Sequence, residues 1–313
     1  MMNQDLLTLG SQALKKMALS QEAKSYIIAN PQIYNVLKKA TDRYIGGDNL
    51  EQTVAKVVDA NHLGYKASIE YMGENAADER HANEATDEFL RILKQIDEQN
   101  LNATVSLDLS HIGLNLSTDL AEANLGRILD NAGKTEVIIS AEGVEQTDHV
   151  LNTYLQFSPD FSNLSITMQA YLYRSKDDFI ELKKQSGRIR LVKGAFDIPA
   201  QLGMARGEQL DEVYLDYLDQ LLASHHMCSI ATHHDIIQQQ AIKLIEKYNA
   251  PPSTYEFESL YGICNEQLAQ LKDQGYPTKL YYVYGEEWYL YLCNRLAEYP
   301  LNLFRALNDI ISE

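Results

Sequence analysis

The sequence has few cysteines and a shortage of positive charge, and each shortage argues against a class of protein. Cys228, Cys264 and Cys293 are the three cysteines in 313 residues, with neither a CxxC pair nor a zinc-like spacing. Odd, widely separated thiols argue against a disulfide framework and predict a reducing, cytoplasmic compartment. The formal net charge of −17 repels nucleic acid and anionic lipid, so we expect neither as a broad partner.

Long hydrophobic runs and a targeting segment are also missing from the sequence. No stretch approaches the roughly 18 apolar residues that span a bilayer, so we expect no integral membrane segment. Residues 1–7 do not combine a basic segment with an apolar one of signal length. Hydrophobic residues make up 45% of the chain and charged residues 23%, which is ordinary for a globular protein.

Eight short strand-like runs recur from residue 66 onward, with a helical pattern in each gap. The runs are rich in β-branched and apolar residues and span 68–71, 104–109, 136–140, 164–170, 189–192, 228–231, 254–257 and 279–283. This alternation predicts an α/β fold, a (β/α)8 TIM barrel, with an open doubly wound sheet as the competing architecture. The lack of a GxGxxG motif after the first strand favours the barrel. Residues 1–62 have helical patterns, so we predict an N-terminal helical extension over 1–62 and a barrel over 63–313.

Polar residues follow most of the predicted strands, where TIM barrels bind their ligands. They are Glu74, Asp108, His111, Glu142, Gln169, Arg190, Lys193, Thr232, His233, His234, Glu256, Glu258, Tyr281 and Tyr284. Strands that only packed together would not need this many polar ends. Gly194 lies just past the fifth run, and a residue without a side chain lets a flat or anionic ligand approach the backbone.

Some of these residues admit other interpretations. The adjacent histidines at 225–226 and 233–234 would point to opposite faces of a strand, so we predict no metal site. His111 could act as a general base, although a hydrogen-bonded structural histidine is the commoner case. Glu256 and Glu258 share a strand face as a glycosidase pair does, but most such pairs are not catalytic.

Several motifs, in order along the chain, resemble those of the FAD-dependent proline dehydrogenases. They are Tyr71-Met72-Gly73-Glu74-Asn75, Gln169-Ala170-Tyr171, Arg190-Leu191-Val192-Lys193-Gly194-Ala195, Ala231-Thr232-His233-His234, Glu256-Phe257-Glu258-Ser259-Leu260-Tyr261-Gly262, 281–285 and 288–298. The resemblance implies a distorted (β/α)8 barrel that binds FAD noncovalently. It also implies oxidation of a cyclic or secondary amine, proline or a proline-like compound, to an imine by hydride transfer to flavin N5.

The resemblance further implies which residues bind the cofactor. Gln169 would reach the reactive edge of the isoalloxazine ring. The flavin would be lined by Arg190, Val192, Lys193, Gly194 and Ala195. Thr232 and His233 would lie near the adenosine and pyrophosphate half, and His234 stands where the family has Asn. Such a set offers the donors, cations and small residues that FAD needs.

The substrate half departs from the family pattern. In the family, a Lys of the second strand and two adjacent arginines of the last helix hold the proline carboxylate, beside an Asp of the third strand. Here those four positions read Asp108, Asn294, Arg295 and Ser140. Tyr281 and Glu298 keep their family positions, where the Tyr would press its ring on the substrate and the Glu would orient Arg295. The aromatic residue after Lys-Gly-Ala is Phe196 instead of Tyr.

These departures remove the net positive charge of the family cluster, since Asp108 cancels Arg295. The loss of two charge-assisted hydrogen bonds should cost roughly 3–6 kcal/mol, or about 10²–10⁴ in affinity. We therefore predict that free L-proline is a poor substrate. An amine without a free carboxylate, or with an extra cation, should fit better.

The electron acceptor is not specified by these motifs, and a quinone and oxygen are both candidates. Two alternatives to an amine dehydrogenase stay open at this point. One is a flavin-binding homologue without turnover that acts as a partner or regulatory subunit. The other is a different barrel enzyme that uses no flavin.

Overall fold

A closed barrel of eight parallel strands forms the centre of the computed structural model, which describes residues 2–18, 20–73, 75–194, 196, 198–285 and 288–298. The strands pair in sequence order, and β8 pairs with β1. They are β1 Lys66–Tyr71, β2 Ala103–Leu107, β3 Val137–Ile139, β4 Leu164–Gln169, β5 Ile189–Val192, β6 Cys228–Ala231, β7 Tyr255–Leu260 and β8 Thr278–Tyr284. The predicted TIM barrel is confirmed, and each predicted run overlaps one strand.

The strands form where β-branched and apolar residues cluster, because a parallel sheet is buried on both faces. Val105 and Leu107 on β2 and Ile189 and Leu191 on β5 are fully buried in the main apolar core. β7 runs three residues beyond its predicted end, to Leu260. Glu258 therefore lies within a strand and not beyond its end.

Helices alternate with the strands and surround the barrel. They are α1 Met2–Ala18, α2 Gln21–Ala29, α3 Pro31–Thr41, α4 Leu50–His62, α5 Glu79–Glu98, α6 Thr118–Ala132, α7 Thr147–Phe157, α8 Ser175–Leu182, α9 Glu208–Ala223, α10 Asp235–Tyr248, α11 Asn265–Asp273 and α12 Trp288–Glu298. Side-chain caps fix where several of them begin: Asn49, Asp78 and Ser117 each accept a hydrogen bond from a backbone N–H in the first turn.

The helices α4 and α12 depart from a regular barrel arrangement. α4 packs against β1 and β8, and its Leu50, Val54 and Val57 belong to the main core. α12 packs mainly against α1 and α3. Its buried residues Leu292 and Leu296 join an apolar cluster with the carboxyl ends of β1 and β8. Thus α4 covers the flank of the β8–β1 pair, while α12 lies near the mouth of the barrel. The division of the chain at residue 62 stays a prediction.

Charged side chains fill the amino end of the barrel. Lys66, Glu136, Arg188 and Glu256 come from the amino ends of β1, β3 and β5 and from β7, and their charges alternate around a closed ring. Lys66 Nζ lies 3.0 Å from Glu136 and 3.4 Å from Glu256, and Arg188 Nε lies 3.0 and 3.6 Å from the same two carboxylates. TIM barrels are usually filled by branched apolar residues, so this interior is unusually polar.

Lys279 connects the ring to the next level of the barrel. Its side chain is fully buried, and Nζ lies 2.5 Å from Glu256 and 3.0 Å from Glu258. Burial alone would raise the pKa of Glu256, but Lys279 and Arg188 outweigh it and hold the pKa well below its ordinary value. Both glutamates are therefore ion-paired structural groups deep in the barrel, as expected for the non-catalytic interpretation of the pair.

Among the described residues, no group of three His, Cys, Asp or Glu side chains is arranged to hold a metal ion. The ring nitrogens of His226 lie 3.0 Å from the carbonyl of Met227 and 2.9 Å from that of Gln185. Over the same ranges, no helix has the length and apolarity needed to cross a membrane.

Candidate active site

Polar side chains from several strands converge at the carboxyl end of the barrel. Arg190 is at their centre and is almost fully buried. Its Nε donates to Thr167 Oγ1 at 2.8 Å, and its Nη2 donates to Ser140 Oγ at 3.1 Å. Its Nη1 lies 3.4 Å from Glu258. Burial would lower the pKa of Arg190, but Glu258, Tyr281, Glu70 and Asp108 together outweigh it and raise the pKa, so the guanidinium stays charged.

Tyr281 and Glu70 form a pair across the junction of β8 and β1. The Tyr281 hydroxyl donates a hydrogen bond to Glu70 Oε2. Burial, and then the Glu70 charge, raises the pKa of Tyr281 well above its ordinary value, so the hydroxyl keeps its proton. The Arg190 guanidinium lies 5.1 Å from the centre of the Tyr281 ring, within the range of a cation–π contact.

Ser140 links Arg190 to Glu70. Its Oγ accepts from Arg190 and donates its single hydrogen to Glu70 Oε2 at 3.0 Å. Ser106 Oγ lies 3.1 Å from Ser140 Oγ and 3.5 Å from the carbonyl oxygen of Ile138, so its single hydrogen has two acceptors within reach. The hydroxyl that stands in place of the family Asp is thus part of a directed hydrogen-bond chain that ends on a carboxylate.

Asp108 and Glu142 add two more carboxyl groups to this end of the barrel. Asp108 directly follows β2, is partly buried, and contributes to the raised pKa values of Arg190 and Tyr281. Glu142 is buried and accepts a hydrogen bond from the Ser110 backbone at 3.1 Å. Burial raises the pKa of Glu142 above its ordinary value, against the opposing hydrogen bonds.

Gln169, at the end of β4, is buried, and only one of its two polar side-chain atoms has a hydrogen-bond partner in the described residues. Its Nε2 donates to the backbone carbonyl of Glu142 at 3.1 Å. Its Oε1 is buried, and no hydrogen-bond partner for it is found within the described ranges. An orphaned acceptor at the mouth of a barrel fits a bound group that carries an N–H.

The turn after β5 contains a cationic side chain, Lys193, followed by a glycine, Gly194. Lys193 forms an ion pair with Asp211, and its Nζ lies 3.0 Å from His234 Nδ1. Gly194 has a φ of +131°, and a Cβ there would lie 2.5 Å from the ring of Tyr171. Only glycine fits this turn without strain, because the ring of Tyr171 packs directly against its backbone. Val192 ends β5 in register with Gln169.

The loop after β6 is ordered by its own side chains. Thr232 Oγ1 accepts from the backbone N–H of His234 at 3.1 Å. His233 Nε2 accepts from the backbone N–H of Leu260 at 3.0 Å, so the neutral ring carries its proton on Nδ1. Gln169 Oε1 offers an acceptor for a ring N–H, and the cation of Lys193 lies nearby, which fits the hydrogen-bonding and charge requirements of a flavin dinucleotide.

Several predicted site residues lie outside the described residues. They are Glu74 and Ala195, and the side chains of Asn294, Arg295 and Glu298, whose backbone belongs to α12. Phe196 is described and is 39% exposed. Tyr281 packs against the apolar cluster that contains the buried face of α12, so this helix and the β8 end are neighbours.

Sequence reasoning missed Glu70. It lies inside a predicted strand and so escaped a search for polar residues at strand ends. Lys66, Ser68 and Glu70 alternate with apolar Ala67 and Ile69, and this period of two would have placed Glu70 on the inward face.

Comparison with known proteins gives one consistent result. The family model "Proline dehydrogenase" matches residues 53–300. The chain is 33% identical to proline dehydrogenase 1 of Bacillus subtilis over 273 residues, which is 87% of this chain and 90% of the relative. It is 25% identical to proline dehydrogenase of Deinococcus radiodurans, over 91% of this chain and 95% of the relative. The crystal structure of proline utilization A from Bdellovibrio bacteriovorus matches with a TM-score of 0.77 at 17% identity, over 94% of this chain and 41% of that chain.

Proposed function

Because the chain belongs to the proline dehydrogenase family, we propose that it oxidises a proline-like amine whose carboxyl group is absent or masked. The protein is an FAD-dependent oxidoreductase of this family. Family membership covers the reaction type, the transfer of a hydride from the carbon next to an amine nitrogen. The identity of the amine rests on the charges around Tyr281.

We assign the cofactor site to the strand ends on one side of the mouth. Bound FAD supplies the hydride acceptor, flavin N5. The residues assigned to it are Gln169, Arg190, Val192, Lys193, Gly194, Ala195, Thr232, His233 and His234. The unpartnered Gln169 Oε1 and the turn that only a glycine at position 194 fits support this assignment. Arg190 offers a buried, permanently charged guanidinium that can stabilise negative charge developing nearby.

We assign the substrate site to Asp108, Ser140 and Tyr281, with Asn294, Arg295 and Glu298 contributed by α12. The neutral Tyr281 hydroxyl is directed at Glu70, which leaves the ring to pack on an apolar part of the substrate. The amine must lose its proton before the hydride leaves, and the carboxylates of Glu70 and Asp108 favour the arrival of a protonated amine at this mouth.

One observation carries the substrate proposal: the positions around Tyr281 hold two carboxylates where a substrate carboxylate would bind. Arg190, the buried cation closest to this cluster within the described residues, already pairs with Glu258. Lys193 likewise pairs with Asp211. Arg295, which we also assign to this site, offsets only one of the two carboxylates, so a free acid group would meet net negative charge, whereas an amide, an ester or a bare ring would not be repelled by it.

Two measurements test the proposal. The visible spectrum of the purified protein comes first, and a colourless protein would contradict the flavin assignment. The second measurement is the anaerobic reduction of the flavin by L-proline, L-prolinamide and pyrrolidine. Because these amines differ in their own pKa, kcat/KM is compared in the pH range where it no longer changes with pH. We expect kcat/KM for L-proline to lie at least about 100-fold below that for L-prolinamide. Equal values would overturn the substrate proposal.

The same experiment separates an enzyme from a homologue without turnover, since reduction by no amine at all would favour a partner or regulatory role. We further propose a reducing, cytoplasmic location, which is supported by the lack of a disulfide at Cys228, Cys264 and Cys293. Reoxidation of the reduced protein by a soluble quinone and by oxygen, compared directly, identifies the class of electron acceptor.

A further inference from the structure

Glu70 is held by two donors that both bind the same carboxylate oxygen. The Tyr281 hydroxyl and the Ser140 hydroxyl each donate to Oε2. Both must be the donors, because an ionised carboxylate has no hydrogen of its own to donate. The second oxygen, Oε1, has no hydrogen-bond partner in the part of the chain that the structure describes. The carboxylate is therefore fixed in orientation with one oxygen left for a ligand.

The charge of Glu70 is not neutralised by a direct ion pair with any described residue. Its two donors are neutral hydroxyl groups. Arg190 reaches it only through Ser140, and the direct carboxylate partner of Arg190 is Glu258. A partly buried carboxylate with neutral partners keeps an outward electrostatic field, which screening by water weakens less than at an open surface.

Two other carboxyl groups, Asp108 and Glu142, share the electrostatic environment of Glu70. Asp108 contributes to the raised pKa values of the same two groups, Arg190 and Tyr281, that Glu70 affects. Glu70 in turn contributes to the raised pKa of Glu142, so these groups lie within electrostatic reach of one another. Glu70 differs from the other two because its position is fixed by the Tyr281 side chain itself.

We propose that Glu70 determines the charge preference of the substrate site: its carboxylate, fixed by Tyr281 and Ser140, offers Oε1 to the protonated amine and excludes a ligand with a free carboxylate. This inference rests on the proposed function, because it places the substrate beside Tyr281. It assigns the preference for a masked carboxyl group to one residue on β1 that no motif of the chain identifies.

The test uses two matched ligands that carry no amine and are not oxidised. Tetrahydrofuran-2-carboxylate and tetrahydrofuran-2-carboxamide differ in charge and little in shape. Their dissociation constants are read from the change in the visible spectrum of the oxidised holoenzyme. The wild-type protein should bind the carboxamide more tightly than the carboxylate. Because neither ligand is turned over, the result does not depend on whether an amine reduces the flavin.

Glu70→Gln removes the charge and keeps an oxygen that can accept from Tyr281. We expect it to tighten carboxylate binding about 10- to 100-fold, the range for one unit charge at several ångströms in a partly screened site. Carboxamide binding should change by no more than about threefold, a small fraction of what one unit charge is worth. Glu70→Ala removes the same charge without introducing an amide, and Glu70→Asp keeps the charge and should preserve the wild-type preference.

The matched control is Glu88→Gln. Glu88 accepts a hydrogen bond from Tyr284 at 2.7 Å, so it forms the same kind of Tyr–Glu pair, on the helical side of β8. This variant should leave the ratio of the two dissociation constants unchanged. If Glu70→Gln and Glu70→Ala weakened the binding of the carboxylate and the carboxamide by the same factor, Glu70 would have a structural role alone, and the proposal would be overturned. An unchanged ratio, or a wild-type protein that binds the carboxylate more tightly than the carboxamide, would also overturn it.

Discussion

The hydroxyl of Tyr281 on β8 donates a hydrogen bond to the carboxylate of Glu70 on β1, two residues that are 211 positions apart in the chain. The backbone register pairs Tyr281 with Ser68 and Glu70 with Val283, so the side chains meet diagonally across the closing seam of the barrel. The strand pair that closes the barrel thus also contributes two hydrogen-bonded polar groups to its mouth. Barrel closure and site geometry depend on each other here.

Removal of the Tyr281 hydroxyl should impair catalysis more than folding. Tyr281→Phe deprives Glu70 of one of its two donors, and a hydrogen bond to a charged group is worth about 1.5–3 kcal/mol. We expect kcat/KM for the best amine to fall about 10- to 100-fold while the flavin content stays unchanged. Steady-state kinetics and the flavin-to-protein absorbance ratio measure both effects. The control is Tyr284→Phe, which removes a hydroxyl bonded to Glu88 on the outer side of the strand. Equal losses in the two variants would contradict a special role for Tyr281.

A side chain at Gly194 should reduce the flavin content. Gly194→Ala places a methyl group 2.5 Å from the Tyr171 ring at a φ of +131°. Strain of about 1–3 kcal/mol must be relieved by movement of the turn that we assign to the flavin. We expect a lower ratio of flavin to protein after purification and a weaker Kd in reconstitution with FAD. Gly133→Ala is the control, because its φ of +56° is also positive but nothing lies within 4 Å of the added Cβ. Full flavin content in Gly194→Ala would refute the assignment.

Loss of the buried cation at the amino end of the barrel should destabilise the fold severely. Lys279→Met leaves Glu256 and Glu258 buried without their shared partner, and one broken buried pair costs about 3–5 kcal/mol. Urea denaturation should report this as a lower free energy of unfolding. Lys184→Met serves for comparison, since Lys184 pairs with Glu181 on the surface and such pairs are worth about 0–1 kcal/mol. If both variants lowered the free energy of unfolding by a similar small amount, the ion pairs of Lys279 would contribute little to stability.

Stability should begin to fall on acidification before most carboxylates titrate, because of His111. This ring stacks on Tyr71, and burial lowers its pKa from 6.5 to about 4. The neutral ring is favoured in the folded state. Its contribution to stability is therefore complete above pH 6.5 and is lost as the pH falls toward 4, by up to about 1.4 kcal/mol per pH unit.

The measurement is the free energy of unfolding between pH 7.5 and 5. His111→Gln should flatten this profile, whereas replacement of the exposed His149 by Gln should not. The depressed pKa of Glu256 acts at lower pH: its contribution is complete above the ordinary value of 4.5 and is lost below it. An unchanged slope in His111→Gln would contradict the prediction.

Local sequence patterns were enough to predict the strands, and they place several proposed site residues at the mouth of the barrel. The runs at 189–192 and 228–231 coincide with β5 and β6, because a buried parallel strand needs apolar and β-branched residues over a short, bounded stretch. Gln169, Lys193 and Thr232 lie at or directly after strand ends, where position along the chain already implies position at the mouth. Glu70 lies inside β1 on its inward face, so its position at a strand end could not identify it.

The sequence by itself determined the alternation of strands and helices, the family, and the change of charge at Asp108 and Ser140, because these depend on residue identity and order. Only the tertiary structure decided which distant side chains meet. Closure of the barrel brings Glu70 to Tyr281, directs Ser140 toward a carboxylate, and gathers Lys66, Glu136, Arg188 and Glu256 into a ring of alternating charge. The physical reason is that a hydrogen bond or an ion pair depends on distances of a few ångströms, which strand register and barrel closure set and which separation along the chain does not encode.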